Sequence, residues 1–237
     1  MLTIIIAVAA ALATFALVTV LFSAIAAILP AIAVFGVTYF LIARRLQKGM
    51  EALIMRAQGE LQKGRFDAAI GIFETIKARY GRWQLFTSSM IDGQIGGIYY
   101  VRQDFDKAKP YLERAFVRHW VARAMLAVIC FKKRDYKAMD KNFEKAAAYS
   151  PKQGLLWSLW AYCHYRLGHV DRAIAILLEG KKKLGDADSK LNANLLSLQN
   201  EKKMKMRGYG EQWYQFMLEM PPQMVQAQTR RVKFVNR

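Results

Sequence analysis

Charge is absent from the start of this 237-residue chain, where residues 1–43 contain no Asp, Glu, Lys or Arg. More than forty residues without a charge argue against a helix buried in a water-soluble domain, which keeps a polar face. Cysteine is nearly absent too. Cys130 and Cys163 are too few for a disulfide framework, and their apolar helical contexts read as buried free thiols rather than metal ligands. The three histidines, His119, His164 and His169, fall at a junction, a packing position and a turn. No phosphate loop, dinucleotide glycine fingerprint, nucleophile elbow or zinc spacing occurs. The run from Gly93 to Gly97 lies inside a helical pattern, not after a strand, so it is no phosphate cradle. These absences set the expectation of a non-enzyme without cofactor, metal or small-molecule substrate. Acidic residues are in short supply as well, 18 against 36 basic ones, for a formal +18. All of that charge follows Ala43, so the later part of the chain should favour an anionic surface: membrane lipid, nucleic acid or an acidic protein.

What residues 1–43 do hold is Ala, Ile, Leu, Val and Phe, at twice the length of one membrane span of about 20 residues. Two spans fit, roughly 2–22 and 24–43, turning at Ser23. Ser23 alone is a poor turn, and Pro30 falls inside the second span, where neighbouring helices can satisfy the carbonyl it frees. The alternatives are one long kinked or partly interfacial helix and a cleaved signal; the uncharged start and long apolar run fit a signal poorly. Arg44, Arg45 and Lys48 follow at once. Positive residues beside a membrane end favour the cytoplasmic side, and each gains on the order of 1 kcal/mol from anionic headgroups. The expected location is the inner, cytoplasmic membrane, with the following domain in the cytoplasm.

From Met50 onward apolar residues recur three and four apart, in amphipathic stretches separated by short breaks, and nothing alternates with strand period. After each break comes a large apolar residue: Phe66, Phe105, Tyr136 and Val170, spaced 39, 31 and 34 apart. Three residues later stand Ala69, Ala108, Met139 and Ala173; four further, Phe73, Leu112, Phe143 and Leu177; three more, Ile76, Ala115, Ala146 and Gly180. Before each break stands a small residue: Ala57, Gly96, Ala127 and Ala161. Helices joined by short turns lie antiparallel, and self-similarity at a period near 34 marks a stacked array. Asp67, Asp106, Asp135 and Asp171 beside the breaks read as helix caps. Residues 189–203 read as a further helix with Leu191, Leu195 and Leu198 inward, closing the last apolar face. The segment 208–218 is too apolar for a disordered tail and either packs on the array or docks into a partner. Arg230, Arg231, Lys233 and Arg237 end the chain.

These columns resemble the tetratricopeptide repeat family over about 135 residues. Trp157, Trp160 and Ala161 carry the likeness best in the fourth repeat, Gly96 and Tyr99 in the second, and Pro151 closes the third. The departures are the uneven spacing and Glu60 where the second repeat has Tyr99. The expected fold is all-α: a transmembrane helical anchor, with a two-span hairpin favoured, then an α-solenoid of about four helix pairs and a capping helix. The expected division is an anchor at 1–43, a basic juxtamembrane linker at 44–49, the solenoid at 50–203, and an aromatic segment with basic tail at 204–237.

In such arrays the first helices line a concave groove. That places Tyr100, Phe131, Lys132, Tyr162, Tyr165 and Arg166 on the inner surface, as a socket for an apolar, acidic helix or peptide of a protein partner; the alternative is that some only pack between helices. Ile54 and Gln58 stand where relatives that grip acidic carboxy-terminal peptides carry Lys and Asn, so that partner class is not implied. The layout resembles bacterial inner-membrane repeat proteins of envelope assembly, export or secretion. The expected role is a membrane-anchored scaffold. The competing reading uses Lys181, Lys182, Lys183 and the other basic faces to bind anionic lipid or nucleic acid.

Overall fold

A computed structural model describes residues 1–221, which are helical with no strand among them. The contacts divide the chain into two compact units, Met1–Ile98 and the residues from Tyr99 on.

The first unit begins with α1 (Leu2–Leu21) and α2 (Ala24–Gln62), packed on each other. Both are long and apolar enough to cross a membrane by length and composition. Ser23 suffices as the turn. Its backbone is extended and its Oγ accepts from the Ala26 N–H at 3.3 Å, capping α2. The basic run at 44–49, expected as a linker, is instead the middle of α2, which runs unbroken for 39 residues. Arg, Leu, Gln and Lys are good helix formers and a single Gly49 costs only about 1 kcal/mol, so nothing there stops the helix. At 1.5 Å per residue α2 is about 58 Å long, and its later half reaches well past the apolar stretch. There it packs on α3 (Phe66–Tyr80), burying Ala57. The start of α1 is tied down: Leu2 N–H donates to the Arg82 carbonyl at 3.0 Å and Thr3 Oγ1 to that of Trp83 at 2.8 Å. α4 (Thr87–Val101) carries the boundary between the units. Its Asp92 is buried and accepts from Lys77 at 2.7 Å.

The second unit continues with α5 (Phe105–Arg114), α6 (Trp120–Lys132), α7 (Tyr136–Tyr149), α8 (Gly154–Arg166), α9 (Val170–Leu184) and α10 (Ser189–Gln199). A 3-10 turn (Met206–Tyr209) and α11 (Glu211–Tyr214) follow. α6 packs on α7, α8 on α9, and α10 on both α8 and α9. The aligned columns are core: Ala69, Ala108, Met139 and Ala173 are fully buried, as are Leu112, Phe143 and Leu177.

The breaks repeat in backbone geometry, not only in composition. Gly64, Gln103, Arg134 and Gly168, each two residues before the apolar column, have φ of 73, 62, 62 and 81°. The following residue donates its N–H back five positions, from Arg65 to Glu60, Asp104 to Tyr99, Asp135 to Cys130 and His169 to His164, at 2.9–3.0 Å. This is the left-handed helix stop in which an orphan carbonyl is recaptured. The caps partly differ from expectation. Asp104, not Asp106, caps α5, and Asp135 caps α7; Asp67, Asp106 and Asp171 lie in first turns, where a carboxylate meets the positive helix end.

α10 is shorter than the expected 189–203, ending at Gln199, with Glu201 at φ 55°. Its Leu191, Leu195 and Leu198 are buried as expected. The end of the basic tail, from Arg230 to Arg237, lies outside the described residues.

Candidate protein-binding groove

Three of the inner residues, Tyr100, Lys132 and Tyr162, meet on one object, the chain's own segment after α10. Lys205 N–H donates to Asn194 Oδ1 at 2.7 Å, bending the chain back across α10, and Tyr209 Oη meets Ser158 Oγ at 2.8 Å. Trp213, Phe216 and Glu219 then stand three apart in sequence, Trp213 in α11 and the other two in the turns after it, with Met217 between them at φ 54°. Trp213 and Phe216 are completely buried.

Each expected groove residue has a definite place. Tyr100, from the end of α4, is buried and donates its hydroxyl to the Phe216 carbonyl at 2.6 Å. Lys132, at the end of α6, donates to the Met217 carbonyl at 3.2 Å, with its ammonium 4.9 Å from the centre of the Phe105 ring. Tyr162, on α8, is buried and donates to Glu219 Oε1 at 2.8 Å, and meets the Trp213 ring edge-on at 4.8 Å. Arg166, one turn on, donates to Tyr162 Oη at 3.1 Å. The other carboxylate oxygen, Glu219 Oε2, accepts from Trp213 Nε1 at 3.1 Å. Tyr165 is half-buried and packs beside Tyr162. Phe131 is half-buried and leans on Tyr136 of α7, so it belongs to helix packing.

The electrostatics follow from this enclosure. Burial pushes the Tyr162 hydroxyl above its ordinary value, with Arg166 opposing and Glu219 adding to the shift. Burial also raises Tyr100 and pulls the Lys132 ammonium down. One carboxylate is held by a phenol and an indole N–H, with a guanidinium behind the phenol. The set contacts aromatic rings, backbone carbonyls and one carboxylate of the chain's own segment.

Sequence reasoning missed the occupant's anchors, Trp213, Phe216 and Glu219, and Trp120, which faces the Phe216 ring at 6.3 Å. The available signal was the spacing of three between Trp213, Phe216 and Glu219. Asp140 was missed too; it accepts from Trp160 Nε1 at 2.7 Å and bonds His164 Nε2 at 2.8 Å. His164 is thereby a packing residue. Arg44, Arg45 and Lys48 lie on α2; Arg44, Arg45 and Lys48 are exposed. Among the described residues no cluster of three His, Cys, Asp or Glu side chains is placed to hold a metal. Cys130 and Cys163 are buried free thiols.

The tetratricopeptide repeat family model matches residues 122–153, which hold nearly all of α6 and all of α7. No curated protein matches the chain.

Proposed function

This chain carries a tetratricopeptide repeat, a protein-interaction scaffold, and we propose that it is a membrane-anchored adaptor whose groove takes an aromatic, acidic segment of a partner protein. One observation carries the reading: the groove already holds such a segment in cis, with Trp213 and Phe216 as buried anchors and Glu219 on Tyr162. Buried aromatics ringed by polar contacts are the usual carriers of binding energy. The cis segment marks the partner's chemistry: two aromatics three residues apart, then a carboxylate three residues on. A partner segment competes with it, so the groove's apparent affinity is its intrinsic affinity multiplied by the fraction of time the cis segment leaves it open.

The anchor in this reading is the α1–α2 hairpin. Ile6 of α1 and Ile42 of α2 line one cleft, so the start of α1 is level with the basic middle of α2. Both ends then lie on the side of Arg44, Arg45 and Lys48, the cytoplasmic side by the positive-residue rule, in the inner membrane of a bacterium. Confinement to the membrane plane raises local concentration and gains avidity for a machine of envelope assembly, export or secretion. Tetratricopeptide repeats are typically non-catalytic, which accords with a binding role.

A photo-crosslinker replacing Tyr165 in the full-length, membrane-bound protein tests this. The expected product is an adduct to a second polypeptide that grows with Phe216→Ala and is suppressed by excess peptide 208–221. Adducts confined to the chain's own segment, or indifferent to the peptide, count against it.

A further inference from the structure

The first unit contains a cleft of about 610 Å³ that the groove reading does not use. Along α2 its wall runs from Ile42 through Arg45 to Gly49, from apolar to cationic, over two helical turns. Ile6 of α1 faces the apolar end; Arg79, Tyr80 and Trp83, from the end of α3 and the residues after it, complete the lining. No carboxylate lines it. Among the described residues neither Arg45 nor Arg79 is paired with one, and Arg79 leans over the Tyr80 ring at 5.6 Å. The floor is fixed by close approach, since a Cβ on Gly49 would lie 2.5 Å from Tyr80 Oη. Trp83 is held by its carbonyl, which accepts from Thr3 Oγ1 at 2.8 Å.

Two unpaired guanidiniums are forks shaped for phosphate oxygens. An inorganic anion would leave the Ile6 and Ile42 end unused, whereas an acyl chain matches it. Tryptophan and tyrosine are the side chains enriched at the level of lipid headgroups. We propose that this cleft binds one anionic glycerophospholipid, its phosphate between Arg45 and Arg79 and an acyl chain along Ile6 and Ile42. The assignment rests on the membrane anchor proposed above. It goes beyond general attraction of basic residues to the surface, because it names one lipid class and one place.

The test uses the full chain in nanodiscs of mixed phosphatidylglycerol and phosphatidylcholine, with bromine on the acyl chains of one lipid at a time. Trp83 emission is obtained as the difference between the protein and its Trp83→Phe variant. Brominated phosphatidylglycerol should quench Trp83 with an apparent preference of roughly thirty-fold over the zwitterionic lipid, the scale expected of two arginine–headgroup contacts. The double variant Arg45→Gln with Arg79→Gln should abolish that preference, and soluble glycerophosphate should leave it unchanged. Equal quenching by the two lipids in the unsubstituted protein, or a preference that survives in the double variant, overturns the site and leaves the anchor standing. Quenching by neither lipid overturns the anchor reading and the site with it.

Discussion

At Gly180 in α9 a Cβ would lie 2.7 Å from Trp157 Cγ and 3.1 Å from Leu191 Cδ1. The same column holds Ile76, Ala115 and Ala146 in the other repeats, all buried, so glycine here answers to the bulk of Trp157. Gly180→Ala should lower unfolding stability by about 1 kcal/mol in urea titration, because overpacking of about 1–3 kcal/mol exceeds the helix gain from losing glycine. At Gly71 in α3 nothing lies within 4 Å of a Cβ, so Gly71→Ala should stabilise by about 0.5–1 kcal/mol. The buried phenols give a pH dependence. Tyr100, Tyr162 and Tyr209 all have values raised by burial. The unfolded chain ionises its tyrosines near pH 10 while the folded one resists. The stability they hold is therefore intact below about pH 10 and is lost as pH rises through the folded values. The melting temperature should drop steeply above pH 10, and less steeply in Tyr100→Phe.

Among the elements, the segment from the 3-10 turn through α11 to Glu219 differs from the helix pairs, because it is held by single contacts to α4, α6, α8 and α10 rather than along the length of one partner helix. Truncating buried Phe216 to alanine removes about 3–5 kcal/mol of packing, and that loss should fall first on this segment. Trypsin should then cut faster at the exposed Lys202 and Lys203, while the helical circular dichroism of the chain persists. Trp213 and Phe216 pack within the same apolar core as α6 and α8, so loss of helicity in step with cleavage would show that the segment does not open apart from them. Sequence reached these elements unevenly. The four columns were legible because helix pairs repeat one packing problem, and each solution leaves the same small and large residues. The unbroken α2 was not legible, since a change from apolar to basic residues alters what surrounds a helix but not its propensity. The place of Trp213 and Phe216 was also hidden: their apolarity shows that something covers them, but not that Tyr100 and Tyr162 do. For the same reason the sequence offered both packing on the array and docking into a partner for 208–218, without choosing between them; in the structure it packs on the array.

On the scale of the whole molecule, the two compact units divide the chemistry, apolar and basic helices in the first and the aromatic groove in the second. The hairpin reading of the first predicts opposite accessibility for its turn and its basic middle. In intact cells a cysteine replacing exposed Ser23 should react with an impermeant maleimide, whereas one replacing exposed Gln47 should react only after lysis; the reverse pattern would invert the orientation. The central claim, that the groove recognises an aromatic–acidic segment, is tested most directly by returning that segment in trans. A labelled peptide of residues 208–221 should bind the full-length Trp213→Ala, Phe216→Ala variant with saturable anisotropy. It should bind the unsubstituted protein far more weakly, and adding Arg166→Glu to the variant should weaken binding by about ten-fold, because a second carboxylate then stands behind Tyr162 where a guanidinium faced Glu219. Absence of peptide binding to a variant that keeps its helical signal and cooperative melting would contradict the account.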